Sequence, residues 1–182
     1  MVGMRRVRFH RGMTQRPTPA EYVPYFATYV DDAEDDPGRQ LTMQAGEIAA
    51  FGQLDEGIAA APPAPGEWSL KEVLVHLSDF ERMFNYRALR FSRGDSTPVE
   101  AFEQDPYVAA SDANERPLES IIGELLALRA ATILFFESLS EAMLSRGGTA
   151  GGNLVTARAL WFIIAGHCEG HLRDLRARFG PA

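Results

Sequence analysis

The sequence is poor in cysteine, in basic residues and in long apolar runs, and each shortage argues against a class of protein. It contains one cysteine, Cys168, so it cannot form an internal disulfide, and such usage fits a reducing cytoplasm. Basic residues are outnumbered, with 18 Lys and Arg against 25 Asp and Glu and a formal charge of −7, which disfavours nucleic-acid binding. No apolar run is long enough to span a membrane. We therefore expect a cytoplasmic globular domain.

The N-terminus lacks the features of a targeting signal. It is basic but has no apolar core of the kind that a secretory signal needs. We expect residues 1–20 to form a poorly ordered or extended arm, and residues 21–182 to form a single domain. The poor patterning before Met13 suggests that the first dozen residues are an upstream extension.

Strand-like alternation is essentially absent, and apolar residues recur at helical spacing instead. The pattern predicts four helices, at about 39–60, 69–91, 117–145 and 154–179. The second begins with a capping box, in which Ser69 is the N-cap and Glu72 is the third helical residue. We therefore predict an all-α four-helix bundle with an extended N-terminal arm and a long loop between the second and third helices.

Three of the four histidines fall on core-facing helix positions. His167 and His171 are four residues apart, so they share one face of the last helix, on the stripe that should be apolar. His76 lies at the edge of the apolar face of the second helix. An imidazole buried without a partner costs free energy, and a divalent metal would satisfy three together. The alternative is that each histidine is a hydrogen-bonded core residue.

A metal on these three side chains would be of the catalytic kind. Three protein nitrogens leave one coordination position open, whereas a structural zinc site fills all four. The open position would hold water with a lowered pKa, or a thiolate. Because all three ligands are neutral, the ion would keep its full positive charge.

Other polar residues lie near the histidines in sequence, and each has a structural or a functional interpretation. Asp79, one turn after His76, could orient a ligand imidazole or act as a base, or could be a solvated helix charge. Glu81 is expected to form a structural ion pair with Arg87 or Arg129. The helix should turn Cys168 and Glu169 away from the ligand face, leaving a structural thiol and a surface or dimer-facing carboxylate.

The loop after the second helix is unusually long for a compact domain, and such loops are often functional. Tyr107 lies in its "FEQDPYV" stretch. This side chain could close over a pocket as a lid, although a loop aromatic packing on the bundle is the slightly favoured interpretation.

Three stretches together resemble the DinB/YfiT-like superfamily. They are "EWSLKEVLVHLSDFERMFNYRALRFSRGD", "FEQDPYVAASD" and "WFIIAGHCEGHL". The resemblance extends from about Tyr22 to Phe179. It implies a four-helix bundle, commonly a homodimer, with a divalent metal, often zinc or nickel, on His76, His167 and His171. Many relatives carry another histidine where this chain has Gly170, and glycine there would either open space beside the site or loosen the helix turn.

The residues and the resemblance together leave three alternatives for function. The first is a metalloenzyme acting on a small electrophilic substrate, by hydrolysis or by transfer of a low-molecular-weight thiol such as bacillithiol or mycothiol. The second is a non-catalytic, stress-related metal-binding bundle that binds a ligand or partner. The third is an inert bundle whose histidines are only hydrogen-bonded.

Overall fold

The computed structural model describes residues 14–179 and is mostly helical. His10 and the suspected boundary at Met13 lie outside the described residues. The helices are α1 (Ala27–Asp32), α2 (Pro37–Ala50), α3 (Glu56–Ala60), α4 (Leu70–Ser92), α5 (Gln104–Ala109), α6 (Leu118–Glu137), α7 (Glu141–Leu144) and α8 (Ala157–Phe179). Two strands, β1 (Gly147–Ala150) and β2 (Asn153–Thr156), form an antiparallel hairpin. None of the helices between residues 14 and 179 has the length and apolar character needed to cross a bilayer.

Four of the helices form the bundle. Helices α2 and α4 each pack against both α6 and α8, so the four surround a common core. The core is formed by two clusters of buried apolar side chains, one toward each end of the bundle. This arrangement confirms the predicted all-α four-helix bundle.

Helices α4 and α6 run parallel, which explains the long loop between them. The contacts between the two helices advance along both in the same direction. Arg82 pairs with Glu124. Further along, the Asn85 amide donates to the Thr132 hydroxyl at 2.6 Å, and the Arg93 guanidinium lies 5.9 Å from the ring centroid of Phe135. A chain joining parallel neighbours must travel back along the bundle before the next helix begins. The returning segment carries α5.

Two predicted helices are shorter in the structure. The first ends at Ala50, where the prediction extended it to residue 60, and the third ends at Glu137 instead of residue 145. Asp55 and Ser140 cap the short helices α3 and α7 by accepting backbone N–H groups. Apolar periodicity continues across these breaks, and only the caps mark the new starts.

The glycine-rich segment after α7 forms the hairpin. Gly151 and Gly152 have φ angles of 56° and 77°, the left-handed values that a two-residue hairpin turn requires. The following strand occupies residues that were predicted to begin the last helix, which therefore starts at Ala157.

Residues 19–32, which connect the predicted arm to the bundle, are largely helical. Short turns of 3₁₀ helix at Pro19–Glu21 and Pro24–Phe26 lead into α1, which packs mainly on α8. The Glu21 carboxylate fastens this segment to the start of α8 through an ion pair with Arg158 at 2.9 Å. Of its four aromatic side chains, Tyr22, Phe26 and Tyr29 pack against the core, whereas Tyr25 is exposed.

Candidate metal centre

The start of α4 fixes the position of the first histidine. The Ser69 hydroxyl accepts the backbone N–H of Glu72 at 3.1 Å, and the Glu72 carboxylate accepts the backbone N–H of Ser69 at 2.8 Å. This reciprocal pair confirms the predicted capping box and sets the register of the helix. Two turns later, His76 is buried between α4 and α8.

The other two histidines come from consecutive turns of α8. His167 is buried, and His171 is partly exposed toward the C-terminal end of that helix. Because they are four residues apart, both rings project from the same face, the one that packs against α4.

The three imidazoles converge through their Nε2 atoms. The Nε2 of His167 lies 3.0 Å from that of His76 and 3.2 Å from that of His171. One ring nitrogen from each side chain lies within 4.8 Å of both others. Among residues 14–179, this is the one such group of three or more histidine, cysteine or carboxylate ligand atoms.

Burial keeps all three imidazoles uncharged near neutral pH. Desolvation, assisted by the neighbouring His171, lowers the pKa of His76 to about 3. Desolvation also holds the pKa of His167 well below its usual range and lowers that of His171, which nearby Asp174 partly opposes. Each neutral ring therefore has a nitrogen lone pair available to a metal ion or a hydrogen-bond donor.

Aromatic rings enclose the triad on one side. The Phe80 ring stacks on His167 with centroids 3.6 Å apart, and Tyr29 meets the same imidazole edge-on at 5.3 Å. Trp68, just before α4, lies 4.8 Å from the ring of His76. Burial of Tyr29, with a contribution from Tyr25, raises the pKa of its phenol to about 12, so this wall is uncharged.

Gly166 allows the aromatic wall to come close. A Cβ built on Gly166 would lie 1.7 Å from the backbone oxygen of Tyr29, so α1 crosses α8 at a distance that only glycine permits. The next residue is His167. The close crossing therefore places Tyr29 directly against a candidate ligand.

The triad adjoins a cleft of about 590 Å³. His171 is the member of the triad that lines it. The other lining residues come from the segment before α4, from the first turn of α4, from α5 and from the end of α8: Gly66, Glu67, Trp68, Val73, Asp105, Ala109, Asp174, Leu175 and Arg178. The cleft is of the size that small-molecule ligands occupy.

The donor set fits a divalent metal ion. Around a tetrahedral zinc ion with bonds of 2.0–2.1 Å, nitrogen donors lie about 3.3–3.4 Å apart, close to the two Nε2 separations here. Three neutral imidazoles at such distances repel one another through their lone pairs, unless a cation or shared protons lie between them. Imidazole is a good ligand for zinc and nickel.

Asp79 lies away from the triad. Its carboxylate accepts a hydrogen bond from Arg82 at 3.4 Å, close to Glu124 and Arg116 on the α6 side, and burial raises its pKa. Within residues 14–179 no hydrogen bond joins it to a histidine. Its role as an orienting group or base stays a prediction, without a contact to support it.

Glu81 and Cys168 belong to a buried polar network behind His167. The Glu81 carboxylate pairs with Arg129 at 2.9 Å, which selects Arg129 over Arg87 as its predicted partner. Arg129 also donates to Gln44 on α2 at 3.2 Å and lies 3.5 Å from the sulfur of Cys168. The network links all four bundle helices, and the thiol is structural as expected.

Three further residues singled out from the sequence are Glu169, Gly170 and Tyr107. Glu169 turns away from the triad and accepts hydrogen bonds from Gln44 and Arg176 at 3.1 and 2.8 Å. Nothing lies within 4 Å of a Cβ built on Gly170, and this residue is not part of the cleft lining. Tyr107 is half exposed and packs edge-on against Phe102, while its helix α5 borders the cleft through other residues.

Sequence reasoning missed the cleft carboxylates and the role of Tyr29. Asp174 carried a usable signal, because it follows His171 by three residues on the same helix. Tyr29 and Asp105 carried none, since each reaches the site from an element distant in sequence.

Comparison with known proteins identifies the family. A model of the DinB superfamily matches residues 41–175, a range that includes all three histidines. The chain therefore belongs to the DinB superfamily, as the resemblance predicted. A search of curated proteins found no match.

Among solved structures, the fold is similar to that of YfiT from Bacillus subtilis. The TM-score is 0.66 at 15% sequence identity, and the match covers 82% of this chain and 91% of that one. YfiT is described as "a probable metal-dependent hydrolase with an unusual four-helix bundle topology". At this level of identity the similarity establishes the shared fold.

Proposed function

We propose that this DinB-superfamily protein is a metal-dependent enzyme that acts on a small electrophilic substrate. His76, His167 and His171 would hold one divalent ion, zinc or nickel, and the substrate would occupy the adjoining cleft. The observation that carries the proposal is the convergence of three uncharged imidazole nitrogens beside that cleft. The description of YfiT as a probable metal-dependent hydrolase supports hydrolysis as the reaction class.

A divalent ion bound by neutral imidazoles supplies Lewis-acid chemistry, which polarises a substrate carbonyl or lowers the pKa of water or a thiol. The chain's own contribution is to hold the three nitrogens in place on long helices. Phe80 and Tyr29 exclude water from the enclosed side, so that substrate reaches the centre from the cleft. Trp68 and Val73 give the cleft an apolar wall against which a substrate can be oriented.

Metal binding is the first requirement of this proposal. Protein purified without a histidine tag and incubated with zinc or nickel should contain about one ion per chain by elemental analysis. At a free ion concentration 1,000 times its Kd, binding should stabilise the fold by about 4 kcal/mol. For a chain of this size, that corresponds to a rise in Tm of roughly 8–16 °C, which EDTA should reverse.

The control variants separate the triad from nonspecific binding. His167→Ala should abolish both the stoichiometric metal and the rise in Tm, whereas His10→Ala should retain both. Metal far below one ion per chain in the wild-type protein would leave only an inert bundle with hydrogen-bonded histidines.

Turnover is the second requirement. Metal-loaded protein should be screened against esters and other electrophiles, alone and with bacillithiol, mycothiol or glutathione as the thiol. Product formation that requires no thiol indicates a hydrolase, and thiol-dependent product formation indicates a thiol transferase. If no combination distinguishes the wild-type protein from His167→Ala, a non-catalytic metal-binding bundle of the stress-related type replaces the enzyme.

We further propose that the protein works as a homodimer in the cytoplasm, where Cys168 would remain reduced. Light scattering after size-exclusion chromatography should give twice the monomer mass at micromolar concentration. A monomer mass across the range from 1 to 100 μM would contradict the dimer without affecting the metal centre.

A further inference from the structure

The charges that line the cleft are unbalanced. Three carboxylates face it from three different elements: Glu67 from the segment before α4, Asp105 from α5 and Asp174 from α8. In the described part of the chain, none of the three forms a salt bridge. Surface carboxylates elsewhere pair readily, as Asp32 does with Arg173 at 2.7 Å.

The one arginine in the cleft lining contacts groups other than the three carboxylates. Arg178 donates to the backbone carbonyl of Trp68 at 3.4 Å, and its guanidinium lies 4.9 Å from the centroid of the Phe179 ring. Among the charged side chains of the lining, three carboxylates therefore stand against one guanidinium. These carboxylates also lie outside the group of converging ligand atoms, so they are free to meet a substrate.

An aromatic face completes the surroundings. Trp68 lines the same cleft and lies 4.8 Å from the ring of His76. Indole rings attract organic cations through the negative face of the π system, and this attraction adds to that of carboxylates. The carboxylates and the indole ring therefore line the same cleft beside the triad.

We propose that the cleft selects substrates that carry a positive charge, such as a primary ammonium or guanidinium group, beside the electrophilic centre. The inference rests on the proposed function, because it places that reactive centre at the triad. An anionic group at the position of that positive charge would be repelled by the carboxylates, although the metal ion itself would attract negative charge at the triad, so Glu67, Asp105 and Asp174 are specificity-determining residues.

Matched metal-chelating probes test this charge preference. Three hydroxamic acids of equal chain length, ending in a methyl, a primary ammonium or a carboxylate group, are titrated into zinc-loaded protein by calorimetry. The ammonium probe should bind about three- to tenfold more tightly than the methyl probe, as expected for two to three partly exposed charge pairs, and the carboxylate probe should bind most weakly. High salt should reduce the differences.

Variants that remove charge test whether the cleft carboxylates cause the preference for the ammonium probe. Asp105→Asn combined with Asp174→Asn should bring the ammonium and methyl probes within about twofold of each other. Glu34→Gln combined with Asp35→Asn removes the same charge from a distant loop and should leave the preference unchanged. Equal or tighter binding of the carboxylate probe, or an unchanged preference in the cleft variant, would overturn the proposal.

A metal-free arm separates failure of the charge preference from failure of the metal centre. Hexylammonium and hexanoate are titrated into the metal-free protein, and the indole N–H resonance of Trp68 is followed by NMR, assigned with the Trp161→Phe variant. A shift with hexylammonium alone supports cation selection even if the methyl hydroxamate shows no metal-dependent binding. A response to hexanoate alone, or to neither ion, contradicts cation selection whatever the result with metal.

Discussion

Replacing Gly166 with alanine should destabilise the protein by about 2–3 kcal/mol and weaken the metal centre. The new Cβ would lie 1.7 Å from the backbone oxygen of Tyr29, so α1 must move away from α8 by more than an ångström. A backbone atom cannot rotate away as the end of a flexible side chain can. The displacement would withdraw the Tyr29 ring from His167.

The gain in helix propensity when alanine replaces glycine is too small to offset this clash. Alanine in a helix interior is favoured over glycine by about 0.5–1 kcal/mol. Gly170→Ala is the matched control, because it lies one turn further along α8 and its Cβ meets nothing within 4 Å. This control should show the favourable effect alone.

Thermal unfolding of both variants provides the measurement. Gly166→Ala should lower the Tm by roughly 4–12 °C, while Gly170→Ala leaves it unchanged or raises it by a few degrees. Zinc affinity should fall in the first variant and stay constant in the second. Equal Tm values for the two variants would mean that α1 does not cross α8 at this distance.

Replacing Arg129 with methionine should cost about 3–5 kcal/mol, the usual penalty for leaving a buried charge without its partner. Arg129 and Glu81 are both about 1% exposed, and the guanidinium also donates to Gln44. Methionine fills much of the volume, so the cost arises mainly from the uncompensated Glu81 carboxylate. Equilibrium unfolding in urea measures the loss.

A double-mutant cycle identifies the origin of that cost. Glu81→Leu combined with Arg129→Met removes both charges and should lose clearly less stability than the sum of the single variants. Arg82→Met, at the exposed Arg82–Glu124 pair between the same two helices, should cost under about 1 kcal/mol. Additive losses in the cycle would show that the two buried charges do not stabilise each other.

The bundle was predictable because its signals are local and repeated. Apolar residues recur at helical spacing over long stretches, and the Ser69–Glu72 capping box marks the start of α4 within four residues. The positions of His167 and His171 on one helix face follow from the same periodicity. The ends of α2 and α6 were missed because apolar spacing continues past them into short helices with their own caps.

The surroundings of the triad were not predictable, because they depend on contacts between distant elements. Nothing near Tyr29 indicates that its backbone oxygen meets Gly166, more than a hundred residues later. Asp105 reaches the cleft only because parallel helices α4 and α6 require a long returning segment. The Gly151–Gly152 pair was a readable hairpin signal, because consecutive glycines readily adopt the positive φ angles of a two-residue turn.

The crossing of α1 over α8 also has an evolutionary consequence. The residues that match the DinB superfamily begin at 41, after Tyr29, whereas the three histidines and Gly166 lie inside the match. One part of the wall over His167, the Tyr29 ring, therefore comes from outside the matched range, whereas Phe80 lies within it. Divergence of the segment that carries Tyr29 among relatives would alter the solvent exposure and polarity around one imidazole while the three nitrogen donors stay the same. Natural variation before residue 41 thus offers a route for tuning the centre that leaves its ligands intact.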